Sequence, residues 1–148
     1  MSIKEWLAEQ KGKVDTNIKK FANKEFMEAV AAGCALVAYA DGTVSTEEKQ
    51  KMVGYIQIND SLKAFKLNDI LERFNHYVST FDFDFNVGKV EAMKSVSKLK
   101  SKPEAAKLLI SLCCAIGASD GEFDNDEVEV VKDMCKALDV NIADFKLK

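Results

Sequence analysis

Two Asp-Gly turns set 79 residues apart constrain what this chain can fold into more than any other feature of its sequence. The stretch Ala38-Tyr39-Ala40-Asp41-Gly42-Thr43-Val44-Ser45-Thr46-Glu47-Glu48 is echoed by Gly117-Ala118-Ser119-Asp120-Gly121-Glu122-Phe123-Asp124-Asn125-Asp126-Glu127. Each copy closes a run of small apolar residues with Asp-Gly, skips one residue, places a large apolar side chain, and then sets a capping residue three positions before a Glu. Gly42 and Gly121 stand where a helix leaves its last turn, a place that favours the left-handed backbone glycine adopts without cost. Ser45 with Glu48, and Asp124 with Glu127, have the capping-box spacing that starts the next helix. The unit is helix, tight turn, helix, written twice.

Asp41 and Asp120 break the local rule. Both fall at a helix C-terminus, where the partial charge is negative and a carboxylate costs roughly 0.3 to 1 kcal/mol. A violation present in both copies marks a candidate site, although Asp is also an ordinary turn residue. With Asp41 at position 5 of a calcium loop, Gly42, Val44, Ser45 and Glu48 fall at positions 6, 8, 9 and 12, and Asp120 to Glu127 repeats the register. Positions 1 and 3 would be Val37 and Tyr39, or Ile116 and Ala118, which carry no carboxylate. Neither loop builds a single-loop cage, so the chain is not an EF-hand protein. Two half-loops brought together by internal symmetry would offer Asp41, Glu48, Asp120, Asp124 and Glu127 as hard oxygen ligands for Ca²⁺ or Mg²⁺.

A single proline and seven glycines in 148 residues leave little room for the turns of an all-β fold, so the expectation is all-α. Helical spacing places Lys24 to Ala40, Thr46 to about Ile58, Asn68 to about Phe81, Phe85 to Leu99, Pro103 to Ser119 and Asn125 to Leu138 on helices, with a closing turn from Asn141 to Phe145. Asn23, Asn68 and Asp84 are the expected caps, and Pro103 suits the first position of its helix. The Lys24 helix, rich in Ala31, Ala32, Gly33 and Ala35, reads as central. The Phe81-Asp82-Phe83-Asp84-Phe85 run reads as a helix-to-helix corner whose aromatics plug the core. Residues 1–22 form a divergent amphipathic segment ahead of a helical domain from 23 to 148, suited to a membrane surface or partner, or fraying at the terminus.

Net charge is only −3, but it is segregated: six Lys face four acids in Met1 to Glu25, and nine acids face four Lys in Gly117 to Lys148. An acidic end argues against nucleic acid, which needs clustered Lys and Arg, and favours a cation or a basic partner. Cys34, Cys113, Cys114 and Cys135 lie on apolar stripes with no Cys-x-x-Cys pair, so the expectation is buried, reduced thiols in a cytoplasmic protein. His76 has no second histidine beside it and reads as structural.

Taken together, Ala40-Asp41-Gly42 to Glu47-Glu48-Lys49-Gln50-Lys51-Met52, the Thr80-Phe81-Asp82-Phe83-Asp84 corner, Gly88-Lys89 with Glu91 and Met93-Lys94, Pro103-Glu104-Ala105-Ala106, and Ser119-Asp120-Gly121 to Asp126-Glu127 resemble the TerB family of tellurite-resistance proteins, from about Asn23 to the C-terminus. The resemblance implies a single compact bundle of about seven helices with internal pseudo-two-fold symmetry. It also implies a non-enzymatic, cytoplasmic stress-response protein working beside a TerC-like membrane protein at the inner membrane and TerD-like proteins, with metal proposed at Asp41, Glu48, Asp120 and Glu127. Two other readings stand beside a cation-responsive adaptor: a metal-independent acidic interaction module, and thiol-based handling of tellurite.

Overall fold

The computed structural model describes residues 23–40, 46–58, 66–117 and 125–145. Six helices fill them: α1 (Lys24–Ala38), α2 (Thr46–Ile58), α3 (Leu67–Phe83), α4 (Phe85–Ser97), α5 (Pro103–Gly117) and α6 (Asn125–Leu138), followed by a 3₁₀ turn at Ile142–Phe145. No strand occurs among the described residues. The all-α expectation holds, with six helices against about seven. The amphipathic segment at 1–22, and with it the expected membrane contact, lies outside the described residues.

α1 is the axis of the bundle. Ala29 to Val37 is buried without interruption, along with Phe26, and a helix apolar on every side is stable only when other helices cover every side. All five of its fellows touch it. Its start is fixed by Asn23, whose Oδ1 accepts from the Phe26 N–H at 2.8 Å. The pairing of the two repeats is visible in the contacts: α1 packs on α2 and α6, while α5 packs on α6 and α2, and α1 and α5 pack on one another. At that last contact the equivalent cysteines meet, with Cys34 and Cys113 in hydrogen-bond contact. Gly33 permits the approach, since a Cβ there would sit 2.6 Å from Cys113 Sγ.

The α3–α4 pair is laid against α1 as a second hairpin. Its corner follows the sequence in part. Phe81 is buried and Phe85 half-buried, with ring centroids 5.7 Å apart, and Asp84 Oδ1 accepts from the Val87 N–H at 3.1 Å to start α4. Phe83 departs from expectation. It belongs to α3, which runs two residues beyond Phe81, and its ring is 87% exposed, because a helix carries residue 83 away from the face that buries 77, 78 and 81. The corner is tight enough to require Gly88, where any Cβ would overlap the Phe81 ring and backbone.

Asn68 is not a cap. α3 begins at Leu67 behind Lys66, which makes no side-chain capping bond; starting two residues earlier than a cap at 68 would set it lets Leu67 pack against the core, which outweighs a cap worth about 1 kcal/mol. At the other end of the chain, α6 closes with Asp139 in the left-handed region at φ 57° and the Val140 N–H on the Cys135 carbonyl at 2.9 Å, the hydrogen bond of a Schellman closure. The Pro103 start and the α6 bounds agree with the sequence reading.

Candidate functional site at the Asp-Gly end of the bundle

α1 ends just before the first Asp-Gly turn. Tyr39 donates its N–H to Ala35 and Ala40 donates to the Val37 carbonyl at 3.2 Å, so the last described residue before Asp41 is held in a closing turn. Tyr39 is buried, with its ring centroid 4.8 Å from that of Phe81 and its hydroxyl donating to Asp82 Oδ1 at 2.5 Å. Burial first, and then the Asp82 bond and charge, push this phenol well above its ordinary value. Tyr39 therefore stays protonated and pins the end of α1 to the α3–α4 corner.

Beside it opens a cavity of about 310 Å³. Three helices line it by simple periodicity: Leu36, Tyr39 and Ala40 from the end of α1, Phe85, Lys89 and Met93 from α4, and Asp126, Glu129, Val130 and Asp133 from the start of α6. Each set repeats at three- and four-residue intervals, which is one face of a helix. The floor is apolar and the α6 edge is acidic. Lys89 Nζ lies 3.7 Å from Asp133 Oδ2, and Glu129 Oε1 takes Lys132 Nζ at 3.2 Å. Asp126 has no partner among the described residues, but in the first turn of α6 it complements the positive helix end.

This geometry bears on the repeat. Ala40 directly precedes the first Asp-Gly turn, Asp126 follows the second, and both line the same cavity. Of the five residues expected to hold a cation, Asp41, Asp120 and Asp124 lie outside the described residues, and Glu48 is placed on α2 without a described side chain. Glu127 is half-buried in the first turn of α6, near enough to Cys114 for its charge to add to the burial that pushes that thiol up. Among the described residues no three His, Cys, Asp or Glu side chains converge to hold a metal ion. The oxygen donors at this end have the hard chemistry calcium or magnesium takes, but on the α6 edge Asp133 and Glu129 are engaged with Lys89 and Lys132.

Sequence reasoning missed four residues here. Lys89, Asp126, Glu129 and Asp133 line the cavity; the acidic i, i+3, i+7 stripe of α6 was readable, but not that α4 and the end of α1 would face it. It also missed a polar cluster further along α1. Tyr77 donates to Glu28 Oε2 at 2.7 Å and lies 2.7 Å from Ser95 Oγ, while Arg73 Nε sits 2.5 Å from Glu28 Oε1 and its guanidinium 5.7 Å from the Tyr77 ring centre. The Arg73 N–H points off the line to the carboxylate, so that contact is an ion pair rather than a formed hydrogen bond. The cluster ties α1 to α3 and α4. His76, read from the sequence as structural, has its Nε2 2.6 Å from Glu91 Oε1 across the α3–α4 hairpin.

All four cysteines are reduced and buried. The Cys34 contact and burial hold the Cys113 thiol well above its ordinary value, and burial does the same for Cys114. Protonated, enclosed thiols are poor nucleophiles.

A family model described as tellurite resistance protein TerB matches residues 27–148. A tellurium resistance protein TerB from Alcaligenes sp is 40% identical over 108 residues, covering 73% of this chain and 88% of that protein. No solved structure matches the chain. No described helix is long and apolar enough to cross a membrane. With matched residues running from early α1 past the end of α6, through both repeats and the corner between them, the chain belongs to the TerB family of tellurite resistance proteins.

Proposed function

We propose that this protein is a cytoplasmic, non-enzymatic adaptor in a tellurite-resistance stress response, and that its working surface is the end of the bundle from which the two Asp-Gly turns leave. The names of the family and of the Alcaligenes relative support the process. The observation that carries the surface is the single cavity lined by Ala40 before one turn and Asp126 after the other. In this reading Asp41, Glu48, Asp120, Asp124 and Glu127 take a divalent cation, Ca²⁺ or Mg²⁺, and the loaded end meets TerC-like and TerD-like proteins.

A second reading has its own observation. The carboxylates of α6 border an apolar floor, which suits a basic protein segment without any metal. Thiol-based handling of tellurite has the least support, because the nucleophile would be a thiolate and the fold keeps Cys113 and Cys114 protonated.

Calorimetric titration of the full chain with Ca²⁺ and with Mg²⁺, together with survival on tellurite of cells carrying Asp41→Asn with Asp120→Asn, tests the proposal. The cation reading expects saturable heat that the double variant abolishes, along with survival. No heat in the wild type leaves the metal-free adaptor. Full survival of cells lacking the protein altogether would end both.

A further inference from the structure

Protein interiors are packed to the density of organic crystals, and against that background the space beside Ala40 is conspicuous for what surrounds it. Leu36, Phe85, Met93 and Val130 give it an apolar floor, and Asp126, Glu129 and Asp133 stand along one edge. An anion would be repelled there. A purely apolar ligand would strip water from the carboxylates without replacing it, and a bare divalent cation would find hydrocarbon where it needs oxygen. The complement is a side chain with an apolar stem and a cationic head, the form in which Arg and Lys bury their methylenes while keeping the charge at a polar edge.

The chain already carries a weak version of that occupant. Lys89 lines the cavity from α4 and reaches Asp133 only to 3.7 Å, beyond the 2.7 to 3.2 Å of a formed hydrogen bond. Both side chains are 44% exposed, so the pair is easily exchanged. Among the described residues Glu129, at 68% side-chain exposure, is answered by Lys132 of its own helix, and Asp126 has no partner. We propose that this cavity is a receptor for one arginine side chain presented by a partner protein, its stem against Leu36, Met93 and Val130 and its guanidinium at Asp133 in place of Lys89, on the edge that Asp126 also makes acidic. Arginine is favoured over lysine because its planar fork grips a carboxylate through two parallel hydrogen bonds, where an ammonium offers only a point charge. The inference rests on the adaptor reading, for which it supplies the chemistry of the residue that is gripped.

The test is a methyl NMR titration of the full chain with the capped peptide acetyl-Leu-Arg-Leu-amide, against the same peptide with citrulline, which keeps the shape and loses the charge. The arginine peptide should shift the Met93 and Val130 methyls saturably and bind about tenfold more tightly than the citrulline peptide, the ratio expected for one charge-assisted contact. Asp126→Asn with Asp133→Asn should remove that preference, and Lys89→Gln should strengthen binding by displacing the internal competitor. Equal binding of the two peptides to the wild type, or shifts that map away from the cavity, overturns the assignment; because both arms use the wild type, a double variant that misfolds does not blunt them. Survival on tellurite decides the adaptor reading separately. A protein that grips the arginine peptide but whose deletion leaves survival unchanged keeps the receptor and loses the adaptor role.

Discussion

Asp139 and Glu28 show two ways in which a single residue sets the stability of this molecule. Asp139 occupies a left-handed position at the C-terminal end of α6, where a Cβ is strained and a negative charge meets the negative end of the helix. Asp139→Gly should therefore stabilise the protein by about 0.5 to 1 kcal/mol, read as a higher urea midpoint at unchanged slope. Glu28 works the opposite way. Its carboxylate serves both Tyr77 and Arg73, and with only 20% of its side chain exposed it cannot be replaced there by bulk water. Glu28→Ala should cost about 2 kcal/mol, less than the loss of a fully buried pair because Arg73 is one-third exposed. A urea midpoint within error of the wild type would refute that role. Neither residue was readable in advance. Glu28 looks like any helix-surface acid until α3 and α4 close over it, and a left-handed Asp leaves no mark in a sequence that also holds Asp-Gly.

At the scale of the element, two glycines separate local propensity from packing. Both lie within helices, where Ala is preferred to Gly by about 1 kcal/mol. A Cβ at Gly54 on α2 would meet nothing within 4 Å, so Gly54→Ala should realise that gain. A Cβ at Gly88 on α4 would run into Phe81, including its backbone nitrogen at 2.9 Å. Backbone cannot swing aside, so Gly88→Ala should lose about 1 to 3 kcal/mol by overpacking the corner. Thermal melts of the two variants should move in opposite directions, and two shifts of the same sign would contradict this account. The elements were the most legible part of the sequence. Asn23, Asp84 and Pro103 start helices where their chemistry predicts, since a cap is a local interaction. Asn68 failed because packing of Leu67 against the core, a tertiary gain, moved the start by two residues. The site was legible only as two ends: the repeat pointed to Asp41 and Asp120, but the wall of the cavity comes from Phe85, Lys89 and Met93, which no local pattern connects to either turn.

For the whole molecule, the two repeats converge on a dry contact between α1 and α5, and this makes stability depend on pH in a direction that can be worked out. Cys113 and Cys114 are pushed up by burial, with the Cys34 contact leading for Cys113. In the unfolded chain these thiols ionise near their ordinary value of 9.0, while in the fold they keep their protons to higher pH. Above that value the unfolded state binds fewer protons than the native state, so the free energy of unfolding falls as pH rises. The contribution is fully present below about pH 9 and is lost from there upward, at up to about 1.4 kcal/mol per pH unit for each such thiol. Melting temperature should hold between pH 7 and 8.5 and then drop toward pH 10.5, with a shallower drop in Cys114→Ala, which removes one titrating group. That variant should begin from a modestly lower melting point, since a buried thiol acts as a small hydrophobe. Iodoacetamide should leave Cys113 and Cys114 unmodified in the folded chain at pH 8.5 and alkylate them in urea. Parallel pH slopes for wild type and Cys114→Ala, or rapid alkylation of either thiol without unfolding, would show that the contact between the repeats opens to water, and would restore thiol chemistry to the ways this fold could meet tellurite.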